Sequence, residues 1–251
     1  MTKIILCGCS GHMGHVVTEI AAADADVEIV AGIDPAGTGA GSYPVFTDLK
    51  DCGVQADALI DFSSPKALDA ILSYCVEKNV PAILCTTGYT DAQMEQIHAA
   101  GEKVAVMKSA NMSLGVNMLL KLLKEAAKTL APAGFDIEIV EKHHNRKVDA
   151  PSGTALAMAD SMNEALGNAY TYQYDRSHRR EKRDPHEIGI SAVRGGNIVG
   201  EHEVIFAGMD EIVEFKHTAY SRGIFAKGAV QAAKFMAGKP AGFYDMSDVI
   251  G

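Results

Sequence analysis

Residues 3–34 leave the amino-terminal part of the chain few ways to fold. Lys3 to Cys7 is a short apolar run, followed by Gly8-Cys9-Ser10-Gly11-His12-Met13-Gly14. A helical pattern then runs from His15 to Ala23, and a second apolar run, Val27 to Ile33, ends at Asp34. The order is strand, glycine turn, helix, strand, acid. The glycines follow a GxxGxxG spacing rather than the commoner GxGxxG, but the three physical roles still fit. One glycine permits the tight turn, one lets backbone approach a pyrophosphate, and one lets helix pack on strand. Asp34 lies 20 residues past Gly14, where an acid reaches a ribose hydroxyl. Nucleotide binding is therefore expected.

Further strands are expected at Ala58 to Phe62, Pro81 to Cys85 and Val104 to Met107, with helices at Pro65 to Lys78 and Asp91 to Ala99. Alternating strands and helices predict a doubly wound, Rossmann-type parallel sheet. Ligands of such sheets bind beyond the carboxyl ends of the strands. Asp61-Phe62-Ser63, Cys85-Thr86-Thr87-Gly88 and Ser109-Ala110-Asn111-Met112 all fall at such ends. A long helix starts after Ser113 and runs to about Leu130. Beyond it the pattern changes to strands at Phe135–Glu141, Glu187–Val193, Ile198–Phe206 and Glu211–His217. The last three are consecutive with short connections, which predicts antiparallel pairing among them. The expectation is an α/β chain with a second α+β domain carrying a mixed or antiparallel sheet. A dinucleotide-binding domain takes residues 1–113 and 219–251, and a substrate-binding and oligomerisation domain takes residues 114–218. The final helix, from Ser221 to Gly238, is expected to pack back on the first domain.

Glu141 to Ala155 carries the chemistry. It holds His143, His144, Arg146 and Lys147 ahead of Pro151, Ser152, Gly153 and Thr154. Ser152 is a natural N-cap, and a helix start offers backbone N–H groups to an anion. An imidazole there exchanges a proton near neutral pH. Positive charge is local, in 142–147 and in Arg176 to Arg183, while the whole chain of 251 residues carries a net charge of −9. That balance argues against nucleic-acid binding and for a small anionic ligand. The five cysteines all fall at or before Cys85 and show neither zinc-ligand nor redox-pair spacing, so no metal is expected and the thiols suit a reducing cytoplasm. No apolar run approaches the length of a membrane span.

With these residues in view, the chain resembles the dihydrodipicolinate reductase (4-hydroxy-tetrahydrodipicolinate reductase) family of lysine and diaminopimelate biosynthesis. The resemblance covers nearly the whole length. It rests on Gly8–Gly14, Asp61-Phe62-Ser63, Cys85-Thr86-Thr87-Gly88, Ala110–Asn117, Glu141–Ala155, and Val193-Arg194 through Gly200-Glu201-His202. It implies hydride transfer from NAD(P)H to a cyclic dicarboxylate imine, in an enzyme assembled as a homotetramer. It places His143 on the family's proton-donor histidine and Lys147 on its catalytic lysine. His144, Gly153 and Thr154 fall on substrate contacts. Gly8, Cys9, Ser10, Gly11, His12, Met13, Asp34, Cys85, Thr86, Thr87, Ser109, Ala110, Asn111 and Met112 fall on cofactor contacts. Three departures stand out. His12 replaces a basic residue, Asp34 lacks the neighbouring arginine, and Cys85 stands where glycine is common. Asp34 is followed by Pro35, Ala36 and Gly37 without a cation, so NADH is expected to serve at least as well as NADPH. Two other readings are a related two-domain dehydrogenase acting on an amino acid or sugar, and a non-catalytic NAD(H) sensor. The sequence does not divide proton donation and charge stabilisation between His143 and Lys147.

Overall fold

The structure is a computed structural model and describes residues 1–109 and 111–251. The chain divides into two compact units, Met1–Leu114 with Gly223–Gly251, and Gly115–Arg222.

The first unit is built on β1 (Thr2–Cys7), β2 (Val27–Ile33), β3 (Val45–Phe46), β4 (Ala58–Asp61), β5 (Ala82–Leu84), β6 (Ala105–Lys108) and β12 (Gly242–Tyr244). All pair in parallel, in the order β12-β6-β5-β4-β1-β2-β3. The order β3-β2-β1-β4-β5-β6 is that of a doubly wound dinucleotide-binding sheet. Successive residues of β1 serve opposite cores. Ile4 and Leu6 pack with α1 (His12–Ala22) and α6 (Gly223–Met236), whereas Ile5 and Cys7 pack with α2 (Leu68–Lys78) and α3 (Asp91–Gly101). Helices on both faces explain why these strands read as unbroken apolar runs. Two strands of this sheet, both at its edges, are absent from the expected set: β3 has two residues and β12 three, too few to show a period.

The second unit packs α4 (Leu114–Leu130, in this unit from Gly115) and α5 (Gly153–Ala165) on one face of a five-stranded sheet. Its strands are β7 (Asp136–His143), β8 (Thr171–Gln173), β9 (Glu187–Arg194), β10 (Gly200–Ala207) and β11 (Ile212–Ala219), ordered β11-β10-β7-β9-β8. The expected antiparallel pairing of three consecutive strands holds only for β10 with β11. Between β9 and β10 lies β7, parallel to β9 and antiparallel to β10. Two inter-strand steps amount to roughly 10 Å, a gap that the five residues 195–199 bridge over the end of β7. Gly195 N–H donates to His143 O at 2.9 Å and Asn145 N–H to Gly196 O at 3.2 Å, so this turn is tied to the strand it crosses. Among the described residues, no helix is long and apolar enough to cross a membrane.

Candidate functional site

In the first unit, the carboxyl ends of the strands fall in one row. Cys7 lies opposite Ile33 and Asp61, Asp61 opposite Leu84, and Leu84 opposite Lys108. The glycine turn leaves this edge with Gly8 at φ +76°. A Cβ on Gly8 would come within 2.5 Å of Phe62 O, and one on Gly14 would collide with Gly8 O. Those two glycines therefore serve packing. Gly11 is different: it is the N-cap of α1, no side chain caps that helix, and a Cβ there meets only Gly8 O at 3.3 Å. It is the position open to close approach by a phosphate. Asp34 accepts from Ser10 N–H at 3.2 Å and Ala36 N–H at 3.0 Å. Partial burial pushes its carboxyl up, but the Ser10 side chain, then the Ala36 and Ser10 N–H groups, outweigh it and hold the group below the usual range. Gly8, Ser10, Gly11 and Asp34 line one cleft of about 460 Å³, together with Thr47 and Asp48.

Other expected cofactor contacts are placed differently. The side chains of Cys9 and Met112 are in the core, at 0% and 4% exposure, so only their backbone is available to a ligand. His12 starts α1 and is exposed, and Met13 packs against the core. Cys85 and the buried Thr86 follow β5, with Thr87 exposed beside them. Burial, with Asp61 adding, pushes the Cys85 thiol well up, so the group stays protonated. Ser109 Oγ donates to Asn111 O at 3.1 Å, and Asn111 Oδ1 accepts from Ser113 N–H at 2.8 Å. Ala110 lies outside the described residues.

The second unit's site grows from β7, whose alternate residues Ile137, Ile139, Glu141 and His143 are buried. A strand of period two thus carries its apolar face straight into a carboxylate and an imidazole. Neighbouring strands supply the partners by register. Arg194 on β9 lies opposite His143, and His202 on β10 lies opposite Glu141. Glu141 is fully buried. It accepts Arg194 Nη1–H and Nη2–H, each at 2.7 Å, and Ser152 N–H at 2.9 Å, and it bonds His143 Nδ1 at 2.6 Å. Burial alone would push its carboxyl up; Arg194, then His143 and Ser152, outweigh this and keep it low. Ser152 caps α5 by accepting from Ala155 N–H at 3.1 Å, and its Oγ meets His202 Nε2 at 2.9 Å. Burial, with His143 adding, pulls His202 down to about 4.

His144, just past β7, is also pulled down, first by desolvation and then by Arg146 and other cations. Lys147 Nζ pairs with Asp149 at 2.9 Å, and Arg146 donates to Asn197 Oδ1 at 3.0 Å. The helix start is less open than expected. The anion held there is Asp149, whose carboxyl is lowered mainly by Lys147, with Gly153 N–H contributing. Gly153 itself leaves open space, with nothing within 4 Å of an added Cβ. The second basic stretch is not a ligand site of the expected kind. Arg176, Arg179 and Arg183 all pair with carboxylates of the sheet, namely Asp136, Glu138 and Glu187. Sequence inspection missed Glu141, Arg194 and His202 as site residues. The signal available was the period-two pattern, which puts Glu141 and His143 on one face.

A Rossmann-type sheet with a glycine loop and an acid just past its second strand, in one chain with a second unit that carries a buried carboxylate–imidazole pair, fits the class of dinucleotide-dependent oxidoreductases. Comparison with known proteins narrows this. Residues 2–112 match the family pattern "Dihydrodipicolinate reductase, N-terminus" and residues 115–250 match "Dihydrodipicolinate reductase, C-terminus". The chain is 48% identical to the 4-hydroxy-tetrahydrodipicolinate reductase of Clostridium tetani (strain Massachusetts / E88), covering 98% of this chain and 96% of that one. Against the reductase of Clostridium novyi (strain NT), the identity is also 48%, covering 100% and 98%. The solved structure of a dipicolinate-bound dihydrodipicolinate reductase from Paenisporosarcina sp. TG-14 superposes with a TM-score of 0.82 at 24% identity, covering 98% of this chain and 97% of that one. The chain belongs to the dihydrodipicolinate reductase family.

Proposed function

We propose that the chain reduces 4-hydroxy-tetrahydrodipicolinate to tetrahydrodipicolinate by hydride transfer from NAD(P)H, in lysine and diaminopimelate biosynthesis. The observation that carries this is the buried Glu141–His143 pair at the mouth of a cationic loop, in a chain of this family. A nicotinamide cofactor fits the first unit, where Gly11 and the uncapped start of α1 would take its phosphates and Asp34 a ribose hydroxyl. When bound, it supplies the hydride. The second unit's residues do the rest. Lys147, Gly153 and Thr154 hold a carboxylate, which takes over the place of Asp149 on Lys147. Hydride addition leaves negative charge on the substrate, and the His143 imidazolium neutralises it by giving up a proton. Lys147 adds electrostatic stabilisation of the same charge. A relative that binds dipicolinate, a cyclic dicarboxylate, supports this substrate class. Assembly as a homotetramer through the second unit's sheet and residence in the cytoplasm belong to the same reading; light scattering on the purified protein tests the first.

The coenzyme preference follows from charge. The cleft around Asp34 also presents Asp48 and has no lysine or arginine among its described lining residues. A 2′-phosphate would meet two carboxylates there. NADH therefore serves at least as well as NADPH. The test is the absorbance decay of each coenzyme with purified protein and freshly generated 4-hydroxy-tetrahydrodipicolinate. Turnover with NADH at a kcat/KM equal to or above that with NADPH is the expected result. A tenfold preference for NADPH overturns the coenzyme reading, and no turnover with either overturns the function.

A further inference from the structure

We infer that Glu141 is the positioning residue of the proton donor: fixed by Arg194 and by Ser152 N–H, its carboxylate holds His143 through Nδ1 and leaves Nε2 to exchange the proton. This rests on the reading above that His143 is the donor.

Geometry carries the assignment. Glu141 and His143 are two residues apart on β7, so both side chains leave the same face of the sheet. The contact between them is 2.6 Å, at the short limit of a charge-assisted N–H···O bond. The carboxylate cannot swing away, because both oxygens are engaged: Oε1 takes Arg194 Nη2–H and Ser152 N–H, and Oε2 takes Arg194 Nη1–H and His143. Arg194 is itself tied down by bonds to Val193 O at 2.8 Å and Asp149 O at 2.6 Å. An ionised, immobile acceptor at Nδ1 makes Nδ1–H the neutral tautomer, so the mobile proton belongs to Nε2.

The surroundings of the ring agree. His202 from β10 meets it edge-on, with centroids 5.1 Å apart, and His217 on β11 stands opposite His202. Arg194 comes from β9, and Lys147 and His144 from the loop after β7. Of the groups bearing on the ring, Glu141 is the anion that the structure places in contact with it. A Cβ on Gly200 would come 3.1 Å from His143 Nε2, so the glycine keeps clearance at the nitrogen assigned to the proton. Glu141 touches no reacting atom in this scheme. It acts on the orientation and charge of His143 alone.

The test joins kinetics to spectroscopy. In Glu141→Gln, kcat falls about tenfold or more while KM for the dicarboxylate stays within about threefold. In the wild-type protein, ¹⁵N spectra of the neutral His143 ring, assigned by its loss in His143→Gln, show the Nδ1–H tautomer. A Glu141→Gln enzyme that folds and keeps wild-type kcat overturns the inference. So does a wild-type His143 protonated at Nε2 in its neutral form. The second measurement needs no variant of Glu141 to fold, and it is independent of turnover. Absence of turnover by the wild type would sink the proposed reaction, while the tautomer would still report what Glu141 does to His143.

Discussion

The two ends of β7 are charged alike in sequence and behave differently in the folded chain. At its amino end, Arg176, Arg179 and Arg183 meet Asp136, Glu138 and Glu187. Three cations face three carboxylates, and Arg183 also donates to Ile137 O and Glu187 O on adjacent strands. The backbone is shaped for this pairing, since a Cβ on Gly189 would collide with the Glu138 carboxylate. At the carboxyl end, the buried Glu141 is shared by Arg194 and His143, the exposed Asp149 takes Lys147, and Arg146 faces only the neutral Asn197 amide among the described residues, so positive charge is left over. A balanced cluster closes on itself and holds strands together. A surplus cluster has affinity left for an anion. What separates structure from function is therefore the local count of carboxylates rather than the density of arginine and lysine.

The surplus end has the larger effects to test. His143→Gln removes the only imidazole bonded to Glu141 among the described residues while keeping side-chain size and polarity. The expected loss is about 100-fold in kcat with a much smaller change in KM. Steady-state kinetics with saturating NADH decides it, and a near-wild-type kcat would remove His143 from the chemistry.

A second, smaller effect is thermodynamic. His202 is almost fully buried and pulled from 6.5 down to about 4, mainly by desolvation. The unfolded chain binds this proton as pH falls through 6.5, and the folded chain does not until about 4. Stability is therefore present above pH 6.5 and lost as pH falls towards 4, at a total cost of about 3 kcal/mol. About 2 kcal/mol of it is lost between pH 7 and pH 5. Urea unfolding at those two pH values measures this. His202→Gln keeps a polar partner for Ser152 Oγ and should flatten the difference by that amount, with the contributions of His144 and His217 cancelling between variant and wild type. An unchanged pH slope in the variant would show that the folded chain accepts the proton at His202.

How much of this was open to inspection of the sequence follows from the range of the interactions. The glycine turn was legible because much of its constraint is local: Gly14 is forced by Gly8 O and Cys9, and Gly8 by its positive φ, with Phe62 after β4 adding a long-range contact that the sequence does not announce. The helix after Ser152 was legible through its cap. The insertion of β7 between β9 and β10 was not, because a five-residue connection looks the same whether it joins neighbours or crosses a strand end. The arginine stretch misled for a similar reason. Arg183 and Asp136 are 47 residues apart, and only register brings them together. Glu141 looked like the end of a strand, since nothing in its immediate neighbours announces Arg194, which is 53 residues away.

The balanced end offers the sharpest control. Arg183→Ala leaves Glu138 and Asp136 short of a cation and two strand carbonyls without their donor. The group is mostly shielded, with 18% side-chain exposure, so a loss of about 1–2 kcal/mol is expected. Lysine will not restore it, because one ammonium cannot reproduce a planar fork that reaches two side chains and three carbonyls. Chemical denaturation reads the stability, and kcat and KM for the dicarboxylate should both remain at wild-type values. A raised KM with unchanged stability would reverse the comparison. Arg183 would then be a ligand contact, and the count of local carboxylates would no longer separate the two ends of the strand.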